Sequence, residues 1–278
     1  MNYAQLIKHY EQLLEACGEE VENFIYVLKD LKQWSTTDYL LNQNSSVSDT
    51  DQQLMENIFQ QLKKHRSPQY ITGKAYFRDL IFFVDERVLI PRPETEELVD
   101  LILSENKVED CSVLDIGTGS GAIAISLKKE RPSWDWDVLA SDISVSALDL
   151  AKENANNCDA EVTFIESDVF SNISGKFDII VSNPPYISYN DKDEVGKNVL
   201  ASEPHSALFA DEEGLAIYRK IIENSREYLQ PRGKLYFEIG YKQGDDLRSL
   251  LKRYFPNNRC RVLKDIFGKD RMVVLDNE

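Results

Sequence analysis

The chain has 278 residues, of which 42% are hydrophobic, and a formal net charge of −16 at pH 7. This length and composition are typical of a protein with a real core, arranged as one large domain or two modest ones. The negative charge argues against a protein that grips bare nucleic acid, and no apolar run approaches the roughly 18–20 residues that span a bilayer.

The four cysteines are scattered without CxxC spacing, and the three histidines are far apart. We therefore expect no metal site, no disulfide framework and no Ser-His-Asp triad. The N-terminal stretch "MNYAQLIKHYEQLLEACGEE" is amphipathic and acidic and lacks the features of a signal peptide. This pattern predicts a cytoplasmic protein.

Residues 1–66 have apolar side chains at helical spacing in three segments separated by short polar pieces, which predicts a small helical domain. The pattern changes at Ser67-Pro68. The following "QYITGKAYFRDLIFFVDERVLIPRP" is rich in β-branched and aromatic residues, with Gly73 at a turn. We predict strands here, forming a β-hairpin linker over residues 67–94.

Residues 95–278 alternate between short apolar strands and helical stretches. Such alternation predicts an α/β domain, with a parallel sheet covered by helices on both faces. The last two strands, in "RCRVLKDIFG" and "DRMVVLD", have no helix between them and are predicted to be an antiparallel pair.

A glycine-rich turn joins the first strand of this domain to a helix, in "VLDIGTGSGAIAISL". Glycines let a backbone turn tightly and approach a ligand, and ligands bind beyond the carboxyl ends of parallel strands. The spacing is GxGxG rather than GxGxxG, and Asp115 lies inside the strand. The motif is therefore an imperfect pyrophosphate fingerprint.

Acidic residues end the next two strands, Asp142 in "ASDIS" and Asp168 in "IESDVF". A carboxylate at the first position can accept hydrogen bonds from ribose hydroxyls. Asp168 could accept one from an adenine amino group, with the Val169 backbone at the ring edge. The alternative for each aspartate is a helix N-cap.

Together, these three strand ends resemble the class I S-adenosylmethionine-dependent methyltransferases, which have a Rossmann-like, mostly parallel seven-stranded sheet. The resemblance implies S-adenosylmethionine as cofactor and S-adenosylhomocysteine as product. It also implies a set of cofactor-binding residues: Gly117, Thr118, Gly119, Ser120, Gly121, Asp142, Asp168, Val169 and Asn183.

The fourth strand ends in the rigid tip "NPPY", Asn183 to Tyr186. Pro184 and Pro185 have no backbone N–H and fix their φ angles, so the tip presents carbonyl oxygens. Asn183 adds a side-chain oxygen and Tyr186 a flat aromatic face. These four residues are the candidate catalytic set, suited to a planar group bearing –NH2. The alternative is a loop that simply ends a strand.

Tips of this type occur in methyltransferases acting on adenine, on guanine and on protein glutamine. Six segments of this chain resemble the protein-glutamine N5-methyltransferases that modify peptide chain release factors (the PrmC/HemK family). They are "LIPRPETEELV", "SDISVSALDLAKENA", "NPPYI", "EPHSALFADEEGLAIYRKII", "LQPRGKLYFEIGYKQG" and "DIFGKDRMVVL".

This resemblance implies that the substrate is the glutamine of the GGQ tripeptide in class 1 release factors. It also implies that the helical domain helps to dock this substrate and that "IPRPETE" helps to close the site. Arg92 and Glu94 are either a structural ion pair or substrate contacts. The acidic charge favours a protein substrate, so we expect no nucleic-acid substrate. Since no apolar run is long enough to span a bilayer, we also expect no membrane partner. The rival hypotheses are a nucleic-acid amino-methyltransferase and a non-catalytic cofactor-binding protein.

Overall fold

The computed structural model describes residues 1–277. Contacts within the chain define two compact units. One comprises Met1–Lys74 and Val195–Glu203, and the other comprises Ala75–Glu194 and Pro204–Glu278. The predicted domain limits at residues 66 and 94 stay predictions.

The helices are α1 (Tyr3–Ala16), α2 (Glu22–Leu31), α3 (Thr36–Asn42), α4 (Asp49–Leu62), α5 (Pro68–Thr72), α6 (Pro93–Glu105), α7 (Ala122–Glu130), α8 (Val145–Asn157), α9 (Lys197–Ser202), α10 (His205–Leu208), α11 (Asp211–Gly214), α12 (Ala216–Tyr228) and α13 (Gly244–Tyr254), with a 3-10 helix at Tyr189–Glu194. The strands are β1 (Lys74–Phe77), β2 (Leu80–Phe83), β3 (Asp110–Ile116), β4 (Asp135–Asp142), β5 (Thr163–Glu166), β6 (Phe177–Ser182), β7 (Ile187–Ser188), β8 (Phe209–Ala210), β9 (Leu229–Glu238), β10 (Arg259–Lys264) and β11 (Asp270–Asp276).

The first unit is helical, as predicted. Its helices turn apolar faces towards a shared core in which Phe24, Leu28, Met55 and Ile58 are fully buried. The Asn2 side chain begins α1 with a capping box to Gln5, which satisfies backbone groups that the first helical turn leaves open. Burial of the amphipathic faces supplies most of the stability of helices this short.

One local prediction in the linker is wrong. The segment Gln69–Thr72 was predicted as strand, but it belongs to the short helix α5. Pro68 occupies the first turn of this helix, and Gly73 ends it in a left-handed conformation with φ 72°. Proline at the start and glycine just past the end favour a helical turn over β-branched strand propensity. The predicted hairpin follows as the two-stranded sheet of β1 and β2.

The second unit is built on a seven-stranded sheet in the order β10-β11-β9-β6-β3-β4-β5. Strand β3 pairs in parallel with β4 and β6, and β6 pairs in parallel with β9. Strand β11 runs antiparallel to both β9 and β10. The predicted α/β fold, with its antiparallel last pair, is confirmed. The parallel strands end at one edge, where a doubly wound sheet binds its ligands.

Candidate active site

A cavity of about 240 Å³ lies at the carboxyl ends of the parallel strands. The segments that follow β3, β4, β5 and β6 all contribute to its wall. The predicted site residues that line it are Gly117, Thr118, Gly119, Ser120, Asp142, Asp168, Val169, Asn183, Pro184 and Pro185. The sheet therefore brings together residues that lie up to 68 positions apart in the chain. Gly121 and Tyr186 are not part of this wall.

The glycine turn is held against the end of β4. The backbone N–H groups of Gly117 and Thr118 both donate to the Ser141 carbonyl, at 2.8 and 2.9 Å. A Cβ on Gly119, whose φ is 54°, would meet no protein atom within 4 Å, so open space lies in front of the turn. Gly121 instead has a packing role, because a Cβ there would lie 2.7 Å from the Ile125 Cδ1 on α7.

Asp142 fixes the glycine turn from the tip of β4. Its Oδ2 accepts from the Gly119 N–H at 3.0 Å, and its Oδ1 accepts from the Ser144 N–H at 2.9 Å. The N-cap alternative for this residue is wrong, because the Ser144 side chain caps α8. Burial raises the pKa of Asp142, and these backbone donors oppose the rise. Each carboxylate oxygen keeps a further lone pair for a ligand.

Asp115 lies fully buried beneath the turn. The Thr118 hydroxyl donates to its Oδ2 at 2.6 Å. Burial raises its pKa to about 7, opposed by the Thr118 hydroxyl and the Ala124 backbone N–H. Asp115 therefore ties the turn to the strand beneath it and does not reach the cavity wall.

Asp168 and Val169 line the cavity just beyond the end of β5. The Asp168 side chain is about half exposed and lies 3.4 Å from the Lys220 ammonium. Val169 has a φ of 54°, which is a marked outlier for a β-branched residue. Strain of this kind costs about 1–3 kcal/mol and clusters at functional sites. The Ser167 hydroxyl donates to the Val169 carbonyl at 2.9 Å and holds the strained turn.

Asn183, Pro184 and Pro185 place the rigid tip of β6 on the cavity wall. Behind the tip, the Tyr186 carbonyl accepts from the Gln243 side-chain amide at 2.9 Å. Gln243 in turn accepts from the Gly240 N–H at 3.0 Å. Gly214 packs closely against the same carbonyl, because a Cβ on Gly214 would lie 2.0 Å from the Tyr186 oxygen. The tip is thus clamped by segments that follow β8 and β9.

Two residues that the sequence analysis did not single out lie beside Asn183. Glu238 ends β9, adjacent to the end of β6, and is 1% exposed. The Thr95 hydroxyl on the first turn of α6 donates to Glu238 Oε2 at 2.5 Å. The Asn183 Nδ2 donates to the same Thr95 oxygen at 3.3 Å. An acidic residue inside the apolar run "KLYFEIG" was the signal for Glu238.

Charged groups surround this buried cluster. Burial raises the pKa of Glu238 to about 7, while the Thr95 hydroxyl and the Arg271 charge oppose the rise. Burial also raises the pKa of the Tyr186 hydroxyl, with Glu238 adding to the rise and Arg271 and Arg92 opposing it. Arg92 lines the cavity and Glu94 acts on the same hydroxyl. The assignment of Arg92 and Glu94 as an ion pair or as substrate contacts stays a prediction.

Residues 1–277 contain neither a metal-binding cluster nor a membrane-spanning helix. No group of three or more His, Cys, Asp or Glu side chains there has the arrangement of a metal site. None of the helices described in this range has the length and apolar content of a membrane span.

Solved structures resemble the sheet and its helices. A methyltransferase from Pyrococcus furiosus superposes with a TM-score of 0.53 at 19% identity, over 72% of this chain and 90% of that one. A 16S rRNA N2 G1207 methyltransferase from Thermus thermophilus, solved with AdoMet and guanosine, also gives 0.53, at 15% identity over 74% of this chain and 50% of that one. At these identities the likeness shows the fold alone.

Sequence comparisons are more specific. The family described as "Methyltransferase small domain" matches residues 95–208, and the "PrmC N-terminal domain" matches residues 5–73. The release factor glutamine methyltransferase of Streptococcus pneumoniae is 55% identical over all of this chain and 99% of its own length. That of Lactococcus lactis is 48% identical over 94% of this chain and 96% of its own. The chain belongs to the family of release factor glutamine methyltransferases.

Proposed function

We propose that this protein transfers a methyl group from S-adenosylmethionine to the side-chain amide nitrogen of a glutamine in a peptide chain release factor. The observation that carries the proposal is the 55% identity to a relative of that name over the whole chain. The candidate catalytic tip and the glycine turn meet at one cavity, as such a reaction requires.

The cavity wall suits S-adenosylmethionine. The open glycine turn at residues 117–121 would receive the methionine part, and Asp142 the ribose hydroxyls, because both of its oxygens are fixed by backbone donors. Asp168 and Val169 would meet the adenine. When bound, this cofactor supplies an electrophilic methyl group on a sulfonium.

The protein's own task is to align the acceptor nitrogen. An amide is a poor nucleophile because its lone pair is delocalised. Asn183 Oδ1 and the Pro184 carbonyl would each accept a hydrogen bond from one N–H of the substrate amide, and Tyr186 would pack against that amide. Alignment of this kind can lower a barrier by up to about 7–11 kcal/mol. A neutral nitrogen needs no base before attack, in keeping with a reacting tip that carries no histidine. S-adenosylhomocysteine would be the leaving group, and the methylated nitrogen would then release one proton to water.

At finer detail, we propose that the substrate is the glutamine of the GGQ tripeptide in class 1 release factors. The helical residues 1–66 would help to dock the release factor, and the linker residues 67–94, which include the hairpin of β1 and β2, would connect them to the catalytic residues 95–278. The segment "IPRPETE" would help to close the site. We also propose that the reaction takes place in the cytoplasm.

The test is methyl transfer from labelled S-adenosylmethionine. The purified enzyme is offered an unmethylated release factor, and separately RNA and DNA at physiological salt, with Asn183→Ala as the matched control. Label in the release factor alone, lost in the control, is the expected result. Label in nucleic acid would favour the rival amino-methyltransferase. Cofactor binding without transfer to any acceptor would favour a non-catalytic binding protein.

A further inference from the structure

A chain of hydrogen bonds runs from Glu238 through Thr95 to Asn183. The Thr95 hydroxyl and Glu238 Oε2 are 2.5 Å apart, and Asn183 Nδ2 is 3.3 Å from the Thr95 oxygen. Thr95 and Glu238 are both buried, whereas Asn183 is partly exposed. Thr95 and Asn183 line the cavity, and Glu238 lies behind them. The two buried groups lie on α6 and β9, elements that the chain order keeps far apart.

The chemistry of these groups gives the chain a direction. When Glu238 is ionised, its carboxylate can only accept hydrogen bonds, so the Thr95 hydroxyl must donate its single proton to Glu238. The Thr95 oxygen is then left with lone pairs only, and the neighbouring atom of Asn183 must be a donor. The nitrogen Nδ2 therefore faces Thr95, and the oxygen Oδ1 is the atom left for a ligand. A hydrogen-bond network is what distinguishes the two ends of an asparagine amide.

Glu238 is an unusual residue for a purely structural task. A buried carboxylate is costly unless it is paired and hydrogen-bonded, and an apolar residue of similar volume often serves stability as well. Its backbone carbonyl accepts from the Tyr218 hydroxyl at 2.6 Å, so one contact that anchors the strand end does not involve the carboxylate. The charged or titratable groups acting on its side chain are Arg271, Glu94 and the hydroxyls of Tyr186 and Tyr218. The Asn183 amide also hydrogen-bonds to it and favours the ionised form.

We propose that Glu238 and Thr95 are positioning residues that lock the Asn183 amide with its oxygen towards the substrate nitrogen. This inference rests on the proposed function, in which Asn183 Oδ1 accepts an N–H of the glutamine amide. With the lock in place, the reacting amide meets an acceptor. If the Asn183 amide were reversed, the –NH2 group of the substrate would face the –NH2 group of Asn183. The substrate nitrogen would then be neither bound nor aligned.

The first test compares Thr95→Val with Thr95→Ser. Valine keeps the shape of threonine but removes the hydroxyl, whereas serine keeps the hydroxyl. We expect Thr95→Val to lower kcat/KM for the release factor by about 10- to 100-fold, because it leaves polar groups of both neighbours unpaired. Thr95→Ser should stay within about threefold of the wild type, since it keeps the same donor and acceptor. Both should keep the wild-type affinity for S-adenosylmethionine. Wild-type activity in Thr95→Val, or the same loss of activity in Thr95→Val and Thr95→Ser, would overturn the proposal.

The second test is a double-mutant cycle with Glu238→Gln, which is nearly isosteric. A glutamine can also donate, so it removes the direction of the chain without emptying the space. If Glu238 acts through Thr95, then Glu238→Gln lowers kcat/KM in the wild type but has no further effect in Thr95→Val. Independent, additive losses would contradict a shared chain and indicate separate structural roles.

A third measurement separates this proposal from the proposed function. In protein labelled with ¹⁵N-asparagine, the Asn183 side-chain –NH2 signals are identified by their absence in Asn183→Ala. The lock predicts that these signals shift in Thr95→Val and keep their wild-type position in Thr95→Ser. If they stay unchanged in Thr95→Val, the lock is wrong even where methyl transfer is observed. If they behave as predicted but the wild type does not modify the release factor, the proposed function is wrong instead.

Discussion

Gly214 is where a single methyl group should disturb the catalytic tip most directly. The residue has a φ of 84°, and a Cβ built on it would lie 2.0 Å from the Tyr186 carbonyl oxygen and 2.7 Å from Gln243 Nε2. Carbon and oxygen atoms in close contact are normally about 3.3–3.6 Å apart. Gly214→Ala must therefore displace the tip or its clamp by more than 1 Å.

The expected loss has two parts that a matched control separates. An L-residue in the left-handed region costs about 1–2 kcal/mol. Gly175→Ala carries this cost alone, because Gly175 has a φ of 90° and no atom within 4 Å of its Cβ position. The change in unfolded-state entropy is the same for both variants. A misplacement of about 1 Å at a reacting group can cost about 100-fold in rate.

The assay is kcat/KM for the release factor at saturating S-adenosylmethionine, with urea unfolding of each variant alongside. We predict that Gly175→Ala is slightly less stable and fully active, while Gly214→Ala loses about 100-fold in kcat/KM and binds the cofactor normally. Equal activity of the two alanine variants would refute the clamp. A parallel loss of cofactor affinity in Gly214→Ala would show that the damage is not confined to the tip.

Three further predictions concern charge. Asp142→Asn turns one acceptor of a backbone N–H into a donor, so the Kd for S-adenosylmethionine, measured by calorimetry, should rise about 10- to 100-fold. The control is Asp178, whose carboxylate accepts from Ser112 at the opposite ends of the strands; Asp178→Asn should leave that Kd unchanged. The pKa of Glu238 is raised to about 7 by burial, from about 4.3 in an unfolded chain, so its ionisation destabilises the folded state increasingly as pH rises from about 4 to 7. The change in Tm on Glu238→Gln should therefore be more positive at pH 8 than at pH 5, and an equal change at both would contradict the buried charge. The net charge of −16 should attract basic surfaces of a release factor, so the Kd of the complex between enzyme and release factor should increase from low to physiological salt. A Kd that does not depend on salt would contradict this attraction.

Much of the candidate site could be predicted because its residues follow strand ends. Gly117, Asp142 and Asn183 are far apart in the chain, but the rule that ligands bind beyond the carboxyl ends of parallel strands places them together. The glycine spacing and the two prolines carry their meaning locally, in backbone angles and missing donors. The family resemblance added the substrate, which these residues alone do not specify.

The supporting residues could not be predicted in the same way. Thr95 and Glu238 are 143 positions apart and meet only because β9 lies next to β6 and α6 begins beside both. The Gln243 clamp likewise depends on the left-handed turn at residues 212–214, which no propensity rule indicates. In the linker, strand propensity predicts a strand over residues 69–72, but Pro68 and Gly73 mark the start and end of a short helix.

The most direct test of the account is to locate the methyl group. An unmethylated class 1 release factor is incubated with S-adenosylmethionine and either the wild-type enzyme or Asn183→Ala, digested, and its peptides are fragmented in a mass spectrometer. The account predicts a mass gain of one CH2 on the side chain of the GGQ glutamine, present with the wild type and absent with the variant. A methyl group on another residue, or one added equally well by Asn183→Ala, would contradict it.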